Sequence, residues 1–178
     1  MIQTILTTPR TNLIPLTHTQ LNQYVNHTEE FSRQEGPVSI EILTENLRKA
    51  IEMKLIKMKE ADPIQHPWIT YWLIRIRQDG FGAGVLGFKG APNFQGEVEI
   101  GYGIDPGFRN KGFMTEGVTR LIQWAFEDPR CRRIIAPNTQ RSNLPSNRVL
   151  KKVGMQIYSE SDHTISWCLN KQVEDQAR

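Results

Sequence analysis

The run Glu97–Ile104 constrains this chain most. Val98, Ile100, Tyr102 and Ile104 alternate with Glu97, Glu99, Gly101 and Gly103. Strict alternation is the period of a β-strand with two unlike faces. Asp105-Pro106-Gly107 stops that strand, and beyond Arg109-Asn110-Lys111 the period changes. From about Gly112 to Phe126, the residues Val118, Leu121, Ile122 and Ala125 recur at helical spacing. A strand that feeds a short loop and then an amphipathic helix commits the chain to layered α/β packing.

The flanking sequence extends this pattern. Leu13–Leu16 reads as a short strand. Thr17 and Gln20 have capping-box spacing, and Leu16 and Leu21 stand at hydrophobic-staple positions, so a helix starts there. Gly36-Pro37 breaks the chain. Ser39 is placed to cap a second helix carrying Leu43, Leu47, Ala50, Ile51, Leu55 and Met58, ending near Ala61. Trp68–Arg77 is rich in β-branched and aromatic residues and reads as a strand. Asp79-Gly80 signals a hairpin, with Gly84–Lys89 returning. Arg132–Ala136 is a short strand. Asn143 can cap a helix with Pro145 in its first turn and Gly154 just past its end. Met155–Glu160 and Thr164–Leu169 form a closing pair. The predicted order β-α-α-β-β-β-α-β-α-β-β implies a mixed sheet flanked by helices. At 178 residues, one domain over 1–178 is expected.

Charge is informative only when divided. The whole chain carries a net +3, too little to argue for nucleic acid. Residues 105–155 hold ten basic and four acidic side chains, leaving a net −3 elsewhere. The local excess calls for an anionic partner. Nucleic acid is not expected, because no recognised binding motif interleaves these cations with aromatics. No stretch approaches about 18 apolar residues, so no membrane partner is expected. Cys131 and Cys168 lack metal-ligand spacing, and no metal site is expected. Two thiols and no leader-like N-terminus suit the cytoplasm.

Three glycine patterns compete for the anion. Gly82-x-Gly84-x-x-Gly87 matches the dinucleotide string, but it lies in a hairpin where a strand–helix turn is required. Gly107-x-x-x-x-Gly112 begins like a P-loop, but Phe113 and Met114 follow where Lys and Ser/Thr are needed. The third reading takes the Asp105–Glu116 loop as an anion site. A helix N-terminus presents unpaired N–H groups, Gly112 permits close approach, and Arg109 and Lys111 add charge. On these grounds alone, a phosphate site and an ordinary capped turn with solvated cations remain equal readings.

The runs IGYGIDPGFRNKGFMTEG (Ile100–Gly117) and NLPSNRVLKKVGM (Asn143–Met155) resemble the GNAT superfamily of acyl-CoA-dependent N-acyltransferases. The likeness is closest to its branch of ribosomal-protein and small-amine acetyltransferases. Arg109 and Gly112 match the pyrophosphate-loop pattern Arg/Gln-x-x-Gly-x-Gly/Ala, while Met114 stands where Gly or Ala is usual. Asn143, Ser146, Arg148, Val149, Leu150, Lys152 and Gly154 match the second pattern. The likeness is weak over the first 60 residues.

The resemblance implies an α/β (α+β) GNAT-like domain. Its mixed central sheet is splayed between the fourth and fifth main strands, those ending at Ile104 and lying at Arg132–Ala136. Acetyl-CoA, the implied cosubstrate, would lie in that splay. Backbone N–H groups of Arg109, Asn110, Lys111, Gly112, Phe113, Met114 and Thr115 would hold its pyrophosphate. Backbone groups near Ile104 and Asp105 would pair with pantetheine. Asn143 would bond the same arm, and Arg148, Lys151 or Lys152 would meet the 3′-phosphate. The superfamily's usual Tyr is replaced by Leu150, so Ser146 is the candidate acid. Glu99 is the leading base, with Glu97 its alternative and His66 a remote one. Trp68, Tyr71 and Trp72 read as core, as does Cys168.

The implied function is acetyl-CoA-dependent transfer of acetyl to a primary amine. The acceptor is a small amine or amino acid, or a protein N-terminal α-amine. The alternative is a catalytically weak acyl-CoA-binding regulatory module. A homodimer is a reasonable prior.

Overall fold

The computed structural model describes residues 4–172. Among these residues it forms an eight-stranded mixed sheet. In chain order the elements are β1 (Leu6–Thr7), β2 (Thr11–Pro15), α1 (His18–Asn26), α2 (Thr28–Glu35), α3 (Glu45–Glu60), α4 (His66–Ile69), β3 (Trp72–Ile76), β4 (Gly82–Phe88), β5 (Glu97–Ile104), α5 (Phe113–Glu127), β6 (Arg133–Gln140), α6 (Leu144–Lys152), β7 (Gln156–Glu160) and β8 (Thr164–Asn170). The spatial order is β1-β2-β3-β4-β5-β6-β8-β7. Every neighbouring pair is antiparallel except β5–β6.

The sheet carries an apolar core on each face. Leu13, Ile74, Leu86, Val98 and Ile100 pack under Val118, Leu121 and Ala125 of α5. Leu73 and Val85 pack on the other face against Leu21, Tyr24, Phe31, Ile51 and Leu55 of α1–α3. Strands buried on both faces read as near-continuous apolar runs, and β4 is buried along its whole length. The glycines of the dinucleotide-like string serve that packing. A Cβ on Gly84 would stand 2.5 Å from the Gly103 carbonyl oxygen, and one on Gly87 would stand 2.6 Å from that of Thr70.

Several boundaries differ from the sequence reading. The capping box at Thr17 and Gln20 forms as expected, with both reciprocal bonds present. The helix it starts breaks at His27, where φ is −138°, and α2 follows. The second predicted helix starts later, capped by the Thr44 hydroxyl on the Leu47 N–H. Ser39 instead donates its hydroxyl to Asp105 Oδ2 at 2.5 Å. The predicted strand at Trp68 begins only at Trp72. Asp62 caps the Ile64 N–H, Pro63 opens a 3₁₀ turn, and α4 takes up Trp68. β6 continues past Pro137 to Gln140, and β1 is an element the sequence reading lacked.

The splay lies at the expected place, and its cause is local. β5 and β6 pair only at Glu97–Arg133, Val98–Ile134 and Glu99–Ile135. Just beyond, Pro137 has no N–H to give, and Asn138 turns to φ 53° as the β6–β8 register shifts. β5 stays bound to β4 through Ile104, so the two strands part after Glu99.

Candidate active site

The fork opens onto a cleft of about 560 Å³ lined by β5, the loop after it and α6. Tyr102, Gly103 and Ile104 come from β5; Arg109, Asn110, Gly112, Met114 and Thr115 from the loop and first turn of α5; Asn143, Ser146, Arg148 and Lys152 from α6. The two sequence runs thus meet at one surface, although no local contact between them was readable in the chain.

The loop is built to leave N–H groups free. The Asp105 carboxylate accepts from Gly107 N–H at 2.7 Å and starts a 3₁₀ turn at Pro106–Phe108. Gly112 then takes φ +84°, a left-handed conformation a side chain would strain, and becomes the N-cap of α5. Glu116 N–H bonds the Gly112 carbonyl at 3.0 Å. The N–H groups ahead of it, in the last residues of the loop and the first turn, have no carbonyl one turn back. Their partial positive charge is supplemented by Arg109 at the loop and by Arg148 and Lys152 across the cleft.

Two members of the expected backbone set are spent elsewhere. Arg109 N–H bonds the Pro106 carbonyl at 3.3 Å, closing the 3₁₀ turn. Asp105 N–H bonds the Ala83 carbonyl at 2.8 Å, so it is not available to pantetheine. That bond reflects strand alternation: Glu99 and Asp105 turn backbone groups toward β4, and Tyr102 and Ile104 turn theirs toward the fork. The Ile104 backbone groups therefore face the fork, whereas the Asp105 N–H and carbonyl are engaged by Ala83 and Phe108. Lys111 and Phe113 do not line the cleft by their side chains. Met114 borders the cleft but is only 5% exposed, its side chain packed into the core.

On α6, the Asn143 side chain caps the helix by accepting Ser146 N–H at 3.2 Å, while still lining the cleft. The Ser146 hydroxyl lies 3.0 Å from the hydroxyl of Tyr102. Sequence reasoning placed Tyr102 on the buried strand face and gave it no role. Burial, only partly offset by the Ser146 hydrogen bond, pushes its phenol up to about 12. It is therefore a protonated, hydrogen-bonded pair with Ser146 across the cleft. The available signal was its place, two residues before the strand's end, with a polar atom on an apolar face. Lys151 does not line the cleft, whereas Arg148 and Lys152, one helical turn apart, do.

Glu99 is on the opposite face of β5, at the last β5–β6 pair and hence at the apex of the fork. Its carboxylate meets Lys89 Nζ at 2.5 Å, a pair in which Lys89 is 67% exposed. Such exposed pairs are held by little free energy. Gly101 and Gly103, on the same face, leave open space where side chains would stand. Glu97 is held more tightly, by Arg133 at 2.7 Å with both partly buried. His66 Nε2 lies 2.9 Å from the Met58 carbonyl, and Trp68, Tyr71, Trp72 and Cys168 are buried. The structure thus brings Ser146, Asn143, Arg148 and the loop together and leaves Glu99 across the sheet from them.

The model of the acetyltransferase (GNAT) domain matches residues 10–156. The chain belongs to the GNAT acetyltransferase family. The uncharacterized N-acetyltransferase YjdG of Bacillus subtilis (strain 168) is 32% identical over 97 residues, 54% of this chain. That match spans only 56% of the relative's length. Among solved structures, the Salmonella typhimurium acetyltransferase that modifies the N-terminal serine of ribosomal protein L7/L12 superposes with a TM-score of 0.66 at 17% identity, over 95% of this chain and 100% of that one. A RimL ribosomal L7/L12 α-N-protein acetyltransferase in complex with coenzyme A superposes with a TM-score of 0.65, also at 17% identity, over 94% and 98%. At such identity these two establish the GNAT fold across the chain, including the first 60 residues where sequence likeness was weak. Among the described residues, no helix is long and apolar enough to cross a membrane.

Proposed function

We propose that this GNAT protein is an acetyl-CoA-dependent N-acetyltransferase that moves acetyl directly to a primary amine. The carrying observation is the convergence, on one cleft at the fork, of free helix N–H groups, the cations Arg148 and Lys152, and the Tyr102–Ser146 pair. A ligand with a diphosphate at one end and a thioester at the other suits that layout. In this reading the N–H groups of Asn110 to Thr115 hold the pyrophosphate, Arg148 or Lys152 meets the 3′-phosphate, and Asn143 and the Ile104 backbone align the pantetheine arm.

The thioester then reaches the fork between the two faces. The amine nitrogen attacks the carbonyl carbon, a C–N bond forms, and the C–S bond breaks. One amine proton passes to Glu99, through water if needed, and the departing thiolate takes the Ser146 proton. Tyr102, protonated at neutral pH, passes a proton to Ser146 through their hydrogen bond; solvent then reprotonates Tyr102 and takes the proton from Glu99, so the residues return to their starting state. No covalent enzyme intermediate is needed.

The acceptor in this reading is a small amine or amino acid, or a protein N-terminal α-amine. The Salmonella neighbour's action on an N-terminal serine supports the second. The two buried, unpaired thiols suit a reducing compartment, and the reading places the reaction in the cytoplasm. The test is thiol release from acetyl-CoA against a panel of amines and N-terminal peptides. Amine-dependent release supports the reading; binding of acetyl-CoA without release by any amine would leave the regulatory, acyl-CoA-holding module. Light scattering tests the homodimer.

A further inference from the structure

Arg10 lies outside the cleft, yet it is tied to the loop at several points. Its backbone N–H donates to Glu116 Oε1 at 2.8 Å and its Nε to Oε2 at 2.7 Å. Its Nη1 donates to the Lys111 carbonyl at 2.9 Å. Its guanidinium stands 4.6 Å over the centre of the Phe113 ring. Nη2 would be 3.1 Å from a Cβ on Gly112. The Thr8 hydroxyl also donates to Glu116 Oε1. The turn between β1 and β2 is thereby fastened to the start of α5.

Two physical consequences follow from this clasp. In a planar trans peptide the C=O and N–H point in opposite directions. With the Lys111 carbonyl turned to Arg10, the N–H of Gly112 is turned away from Arg10. Gly112 borders the cleft and Arg10 does not, which suits an N–H directed to the cleft. The second consequence concerns charge. Glu116 is an acid in the first turn of α5, beside the place a diphosphate would occupy. Burial disfavours its ionised form, but hydrogen bonds from Thr8 and Arg10 outweigh that and hold its carboxyl below the usual range. It is therefore an anion beside an anion site, with its side chain 16% exposed and its charge met by Arg10.

We propose that Arg10 is a positioning residue for the cofactor: it aims the Gly112 N–H into the cleft and neutralises Glu116, so that the loop accepts a diphosphate. This rests on the assignment of coenzyme A to the cleft. The experiment titrates coenzyme A into the wild type, Arg10→Ala, Glu116→Gln and the double variant by calorimetry, and separates kcat from KM for acetyl-CoA. Arg10→Ala should weaken Kd about tenfold, the loss of a charge-assisted bond. KM should rise in parallel, with kcat at saturation within about twofold. The double variant should bind more tightly than Arg10→Ala alone, because the carboxylate left unpaired is gone. A purely structural clasp predicts the reverse, since each loss would add to the last. Should Arg10→Ala fail to fold, Arg10→Lys, which keeps the cation but loses the forked contact, should still weaken Kd about threefold. Wild-type Kd in the folded Arg10 variant, or a double variant no tighter than the single, overturns the proposal. If the wild type itself fails to bind coenzyme A, the cofactor assignment falls and takes this proposal with it, so the two failures are told apart.

Discussion

The two faces of β5 are built by different means. On the α5–α6 face, the cleft is made mostly of backbone: a left-handed Gly112, a capped helix and a strand whose Tyr102 and Ile104 groups turn to the fork. On the α1–α3 face, the features are side chains engaged in pairs: Glu99 with Lys89, Glu97 with Arg133, and a buried Lys54 bound to the Ile69 and Phe88 carbonyls. The difference teaches where tolerance lies. A site made of N–H groups survives exchange of most side chains and fails only where the backbone itself is disturbed. A site made of paired side chains fails one residue at a time.

Gly112→Glu should break this contrast hardest. It puts a strained side chain at φ +84°, against Arg10 Nη2, and a carboxylate among the N–H groups. We expect coenzyme A affinity to fall by about a hundredfold or more by calorimetry, because strain and charge repulsion act together. Affinity within threefold of wild type in the folded variant would remove the loop from the cofactor site.

Ser146→Ala and Tyr102→Phe test the one side-chain pair on the backbone face. Each should lower kcat by about a hundredfold, the low end of what proton-transfer catalysis contributes. The double variant should cost little more than the worse single, because the two act as one donor. Additive losses would separate them, and full activity of Ser146→Ala would take Ser146 out of the mechanism.

Glu99→Gln tests the opposite face. Turnover should fall about tenfold or more and the acid limb of the pH–rate profile should change, with coenzyme A affinity unaltered. An unchanged profile would eliminate Glu99 as the base and would leave the α1–α3 face without a catalytic group.

Lys54 gives the smallest effect and concerns stability alone. Burial, with the charges of Lys57 and Lys89, pulls its ammonium down to about 7. An unfolded lysine titrates near 10.4. Between pH 7 and 9 the unfolded chain therefore binds more protons than the native one, and stability rises with pH. The rise should be on the order of 1 kcal/mol per pH unit. Lys54→Met should flatten it, as read from urea midpoints at pH 6.5 and 9. An unaltered slope would assign the pH dependence to other groups.

Legibility in the sequence follows the same division. The β5 alternation, its Asp-Pro-Gly stop, the helix after Gly112, and the Asn143 cap were readable because each is set by residues close together in the chain. The roles proposed for Glu99 and Ser146 rest on the family's chemistry, because no local rule assigns a proton-transfer role to a strand acid or a first-turn serine. The Ser39 cap and the Trp68 strand start were misread, because local propensity there is overruled by distant partners: Ser39 is drawn to Asp105, and Trp68 is held in α4 behind the Asp62 cap. The engagement of the Asp105 N–H by Ala83 on β4 was not legible either, because no local rule supplies that partner.

The sequence by itself determined that this chain makes a strand–loop–helix with free N–H groups and a second run able to face it. Tertiary structure decided the rest. It brought the two runs to one cleft, set Tyr102 beside Ser146, and fastened Arg10 to Glu116 and Lys111. The physical reason is range: turns, caps and periodicity act over a few residues, whereas pairing of hydrogen-bond donors and charges is settled only when segments as far apart as residues 10 and 116 are buried against one another.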